Sequence, residues 1–214
     1  MSIKGKYKEI RFSVRDALLN SRYRAQLTNH DFSLITSDCL GGVICHDLKV
    51  RMDSPTRNFY FDASDYIEFC RNLDKYLAMS LEPYMDSNSP YLMARCGDVK
   101  LYLVHYDSFE QARDKWETRK VRIHKDNMFF IMTDRNHCTE ADLKAFNDLP
   151  YENKVCFTHI PYPQYESTFY IKGSENAPYL ESMMNYVHEW WIRRYYDQFD
   201  FVSWLNNGGH CWTK

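Results

Sequence analysis

The chain has 214 residues, with 27 Lys and Arg against 29 Asp and Glu and a formal net charge of −2. This length suits one compact domain with a substantial core, and the balanced charge argues against a nucleic-acid binder held by bulk electrostatics. Seven Cys without a CxxC pair are the usage of a reduced, cytoplasmic protein with free thiols. No uninterrupted apolar run approaches the roughly 18 residues of a spanning helix, and charges interrupt the first residues too often for a signal peptide. Cys211-Trp212-Thr213-Lys214 has the outline of a prenylation box but lacks its aliphatic middle and its usual last residue. Aromatic residues are the outlier, with 17 Tyr, 13 Phe and 5 Trp. They point to an aromatic core first and to interface or carbohydrate-like contacts second.

In chain order, Tyr7 to Leu27 reads as a basic helix, with Ile10, Val14, Leu18 and Tyr23 near helical spacing. Residues 1–30 therefore form an N-terminal basic helix, and residues 31–214 an α/β domain. Phe32–Ile35 is the first strand, Gly41–Leu48 a short helix, and Asn58–Phe61 a second strand. A helix starts at Asp62 and runs to about Leu77. Glu82–Pro90 is a loop and Val99–His105 a strand. Ser108 opens a helix carrying a basic run from Lys115 to Arg122. Met128–Met132 is a buried strand, and Thr139-Glu140-Ala141-Asp142 caps a helix through Leu149. Val155–Thr158 and Thr168–Lys172 are strands, and Pro178 starts a long aromatic helix to about Phe199, followed by Phe201–Leu205. The alternation predicts one compact α/β domain, a largely parallel sheet flanked by helices in three layers, as a Rossmann-like variant.

The chemistry-bearing residues cluster at strand ends, where α/β proteins bind ligands. Ser37, Asp38, Cys39, Gly41 and Gly42 follow the first strand within seven residues of Thr36. Cys39 is a candidate nucleophile whose thiolate the amides of a helix N-terminus would favour, with His46 or His105 as its base. The alternative is a small buried residue packing under the turn. The two glycines suit a close backbone approach to a phosphate or sugar, or a turn of positive φ. Arg57 is a candidate ligand for an anion, or an exposed loop arginine. Lys115, Arg119 and Arg122 share a helix face that suits a diphosphate, or one that is solvated and paired with Glu110, Asp114 and Glu117. Asp134 and Arg135 follow the buried strand, Asp134 as a base or ligand. No spacing of Cys and His matches a standard zinc site. The aromatic and basic segment Tyr186–Phe201 suits a core helix, a partner surface or a peripheral membrane contact.

Six ordered segments carry a resemblance: FSLITSDCLGGVICHDL, SPTRNFYFDASDYIEFCRNLDKYL, HYDSFEQARDKWETRKVRI, DNMFFIMTDRNHCTEADLKAF, LPYENKVCFTHIPYP and FDFVSWLN. Together, over roughly Asp31 to Asn206, the chain resembles the bacterial exopolysaccharide and capsule biosynthesis family built on domain of unknown function nineteen-nineteen. The first motif departs from the family's Asn and aromatic around the cysteine, reading Ser37-Asp38-Cys39-Leu40. The resemblance implies an α/β fold and a role in cell-surface glycan assembly, and it brings no catalytic residue and no cofactor with it. The expected function is a transferase, of acyl or glycosyl type, acting on a glycan or its activated precursor. Cys39, His105 and Asp134 would be catalytic, and the remaining residues would bind substrate. Two alternatives stand beside it, a sugar-nucleotide-dependent glycosyltransferase with Cys39 only structural and a non-catalytic partner in an assembly complex. The expected partners are a glycan precursor or sugar nucleotide, together with the inner membrane face or an assembly complex. No nucleic acid and no metal are expected.

Overall fold

The structure, a computed structural model, describes residues 3–209; the prenylation-like Cys211–Lys214 segment lies outside them. The chain opens with helix α1 (Ile3–Arg15), a π-helical turn (Asp16–Asn20) and α2 (Ser21–Gln26), then strand β1 (Ser33–Thr36) and α3 (Leu40–Leu48). Next come α4 (Ala63–Arg71), α5 (Leu73–Leu77), β2 (Glu82–Tyr84), β3 (Met93–Cys96) and β4 (Val99–Tyr102). The second half holds α6 (Phe109–Lys120), β5 (Met128–Thr133), α7 (Glu140–Asn147), β6 (Lys154–Thr158) and β7 (Thr168–Tyr170). A 3₁₀ turn (Tyr195–Gln198) and α8 (Phe201–Asn207) end it.

β1, β5, β6 and β7 form a four-stranded sheet in that order, and all its pairs are parallel. Side chains alternate across it as the two-residue period of a strand requires. Ile35, Phe130, Met132 and Cys156 enter one core with α4, α6 and α7. Leu34, Phe129, Ile131, Val155 and Phe157 enter the other with α3 and α8. Both faces are covered, which is why β5 reads as a continuous apolar run. The fold is therefore the expected α/β domain with a parallel sheet between layers of helices. The strand order follows the chain without reversal, so these four strands contain no topological switch point.

Several local expectations are corrected. β2, β3 and β4 form a separate antiparallel sheet; Val99–His105 is thus a hairpin strand ending at Tyr102, and part of the expected loop is β2. Asn58–Phe61 makes only an isolated bridge, Tyr60 with Tyr102. The helix from Asp62 breaks at Asn72, whose φ of −121° and ψ of 40° are not helical. The largest difference is Pro178–Phe199, which is not a helix: apart from the 3₁₀ turn and one isolated bridge, Tyr186 with Arg194, it is irregular. Its aromatic residues are not a helical stripe: Leu180, Met183, Tyr196 and Phe199 are buried one by one. Side chains of other elements satisfy its backbone, Asp134 accepting from Leu180 N at 2.8 Å and Arg15 donating to Ile192 O at 2.7 Å. The capping signals hold, since Ser108 accepts from Gln111 N and Thr139 with Asp142 forms a capping box.

Candidate functional site

Parallel strands end on one edge. The β1–β5 ladder extends one residue past β1, Ser37 N donating to Ile131 O at 3.0 Å, and Asp134 N likewise donates to Phe157 O at 3.0 Å. These bonds set the ends of β1, β5 and β6 level, placing Ser37-Asp38-Cys39, Asp134-Arg135 and His159 along one border. The segment before α4 joins them: Phe61 N donates to Ser37 O at 2.9 Å, and Asn136 Nδ2 donates to Phe61 O at 3.1 Å. Asp62 accepts from Tyr102 Oη at 3.1 Å and lies 3.0 Å from His137 Nδ1.

The centre of this edge is a carboxylate–imidazole pair. Asp134 is buried, and one of its oxygens lies 2.5 Å from His159 Nδ1 and accepts from His159 N at 2.8 Å. Its other oxygen accepts from Leu180 N at 2.8 Å. Both oxygens of Asp134, expected as a base or a ligand, are thus engaged, one by His159 and the other by the Leu180 amide. The carboxylate selects the tautomer that carries its proton on Nδ1, which leaves the Nε2 lone pair as the basic atom. The His159 side chain keeps 13 % of its surface exposed. His159 is absent from the residues singled out in the sequence. The strand-end logic that found Asp38 and Asp134 finds it when applied to Thr158-His159.

Around the pair, the buried Arg135 Nε and Thr133 Oγ1 have no hydrogen-bond partner among the described residues. Burial raises the pKa of Asp38, opposed by the Leu40 amide at 2.9 Å and by the charge of Arg135. Cys39 sits at the N-cap of α3, but the expected low pKa is not found. Burial first, then the Asp38 carboxylate, push the thiol up to about 11, so it is protonated at neutral pH.

The other expected residues fall elsewhere. Gly41 supplies close approach rather than positive φ: a Cβ there would lie 2.6 Å from Thr36 Cγ2. Gly42, His46 and Arg57 line a separate groove of about 450 Å³ between α1 and α3, with Phe12, Asp16 and Lys49. His46 is exposed there against the Phe12 ring at 5.8 Å. His105 is exposed beyond the end of β4, and Lys115 is exposed on α6. Arg119 turns inward, donating to Arg57 O at 3.0 Å and Tyr106 Oη at 2.7 Å. Arg122 lies past the end of α6, so the expected basic face is not formed. The described cysteines are free thiols, and no group of three or more His, Cys, Asp or Glu among the described residues is arranged to hold a metal.

Fold and site together define an α/β protein with a His–Asp pair at the carboxyl edge of a parallel sheet. Residues 10–206 match the family described as Domain of unknown function (DUF1919), and the chain belongs to that family. It is also 36% identical over 189 residues to an uncharacterized protein of Haemophilus influenzae, over 88% of this chain and 91% of that protein.

Proposed function

We propose that the protein is a transferase in the assembly of a cell-surface polysaccharide, of exopolysaccharide or capsular type, and that its reaction centre is the carboxyl edge of the parallel sheet. The glycan class rests on the resemblance carried by the six sequence segments. The observation that supports a reaction centre is the Asp134–His159 pair, with 2.5 Å between carboxylate and ring. In this reading an acceptor sugar hydroxyl gives its proton to His159 Nε2 as its oxygen attacks the activated carbon of the donor. The bond from that carbon to the donor's phosphate breaks, and the phosphate leaves with the electron pair. Asp134 stabilises the imidazolium that forms, and Arg135 supplies a cation for the departing charge. The protonated Cys39 thiol favours this direct transfer over a covalent enzyme intermediate, and so favours a sugar-nucleotide donor.

The test is calorimetric titration and transfer assay of wild type, His159→Gln and Cys39→Ala with sugar nucleotides, acyl-coenzyme A species and lipid-pyrophosphate mimics. A sugar nucleotide is expected to bind all three proteins. Transfer is expected to fall by about 10²–10⁴-fold in His159→Gln, the range of a lost general base, and to survive in Cys39→Ala. An acyl donor whose transfer disappears in Cys39→Ala would instead identify covalent catalysis. Absence of binding at millimolar donor would leave a non-catalytic assembly partner.

A further inference from the structure

We propose that α1, together with the loop carrying Trp190 and Trp191, is a docking face for an anionic phospholipid surface, on which the protein lies without crossing it. α1 is inside out. Its inward side carries arginines: Arg15 is fully buried, and Arg11 stacks on the Tyr186 ring at 3.5 Å. Its outward side carries Ile10 and Val14, and the π-helical turn that follows continues the row with Leu18, Ile10 being 63 % and Leu18 66 % exposed. An ordinary amphipathic surface helix does the reverse, so the aliphatic row calls for a cover that the described residues do not provide.

Side chains of α1 also hold the aromatic loop beside that row. Arg11 donates to Trp191 O at 2.7 Å and to His188 O, and Tyr7 Oη donates to Glu189 O at 2.6 Å. The Tyr7 and Trp190 rings meet edge to face at 6.0 Å. Trp190 is 76 % exposed and Trp191 is exposed beside it. Tyr and Trp, apolar with one polar atom, suit the boundary between headgroups and acyl chains.

Charge selects the occupant. Residues 1–30 hold seven Lys and Arg against two acids, in a chain whose net charge is −2. Lys6, Lys8 and Arg22 are exposed, as are the acids Glu9 and Glu189, and Asp16 is engaged by Arg24 and Lys49. Anionic headgroups complement this surface. A second copy docked on a two-fold axis would set the same cations against one another. No helix among the described residues is long and apolar enough to cross a membrane, which leaves contact in the plane of the surface. This docking goes beyond the transferase reading and needs neither His159 nor a donor.

The experiment is sedimentation of the full chain with phosphatidylcholine vesicles, with and without phosphatidylglycerol, alongside tryptophan fluorescence. The variant Ile10→Glu/Leu18→Glu changes two exposed side chains, and its melting curve checks the fold. Expected results are binding to the anionic vesicles only, weakening with salt, a blue shift of emission, and about tenfold weaker partition of the variant. Three results would each overturn the proposal. One is no sedimentation with either vesicle. Another is vesicle binding that the variant leaves unchanged. The last is a dimer in light scattering that the variant dissociates while vesicles leave the protein in solution.

Discussion

Cys39 shows how a single residue's chemistry depends on what surrounds it. Its sequence neighbours promise helix amides that would stabilise a thiolate. The structure adds desolvation and the Asp38 carboxylate, and these two prevail, pushing the thiol up to about 11 from an ordinary value of 9.0. Iodoacetamide labelling at Cys39, followed by peptide mass spectrometry, is therefore expected to be slow at neutral pH and to keep accelerating up to about pH 11. The partly exposed Cys138, pushed up to about 12 by burial and then by Asp142 and Asp134, is expected to behave alike. A Cys39 rate already level by about pH 8 would reveal an activated thiolate and restore its nucleophilic role. Asp134 teaches the complementary lesson. Its position at a strand end is visible in the sequence, but its role is set by His159 and Leu180, which come from the far ends of other segments.

Between elements, the junction of β1 and α3 turns on one glycine of a pair. The Gly41-Gly42 run reads as a backbone device, and the structure divides the work unequally. A Cβ on Gly41 would meet Thr36 Cγ2 at 2.6 Å, whereas one on Gly42 would find its nearest neighbours, Arg57 Cγ and Met52 Sδ, at 4.0 Å. Gly41→Ala is expected to cost about 1–3 kcal/mol, the usual range for overpacking. Gly42→Ala is expected to be neutral or stabilising by up to about 1 kcal/mol, since alanine favours a helix interior. Urea denaturation of the two variants checks both, and equal effects would contradict the close packing of α3 on β1. At the same scale, capped helices and apolar strands are legible, because their signals lie within a few residues. The 178–199 segment is not, because its order comes from contacts with α1 and β5 rather than from a repeat of its own.

For the whole molecule, a buried ionic knot ties the N-terminal helix to the body. Arg15 donates to Asp197 at 2.6 and 2.9 Å, to Asp47 of α3 at 3.2 Å and to Tyr196 Oη at 2.5 Å, and Tyr196 Oη in turn donates to Asp47. One guanidinium thus joins three regions of the chain. Arg15→Ala is expected to lower unfolding free energy by about 3–5 kcal/mol, because it strands two buried carboxylates. Chemical denaturation measures it, and a loss below about 1 kcal/mol would mean the charges find water or other partners. The inward arginine also forces the aliphatic row of α1 outward, so the tie that stabilises the molecule creates the face assigned to the membrane.

The sequence by itself determined the class of fold, the family and most of the elements around the parallel sheet. Hydrophobic period, capping residues and turn chemistry are local, and so they survive without knowledge of partners. It also located the polar residues at the ends of β1 and β5. Only the tertiary structure decided which side of α1 faces inward, since the spacing of Ile10, Val14 and Leu18 defines a stripe but not its direction. Direction is set by Arg15 meeting Asp197 across 182 residues of chain, a pairing that periodicity cannot encode. Long-range partners likewise paired Asp134 with His159 and Leu180, removed Arg119 from the expected basic face, and raised the Cys39 thiol by burial.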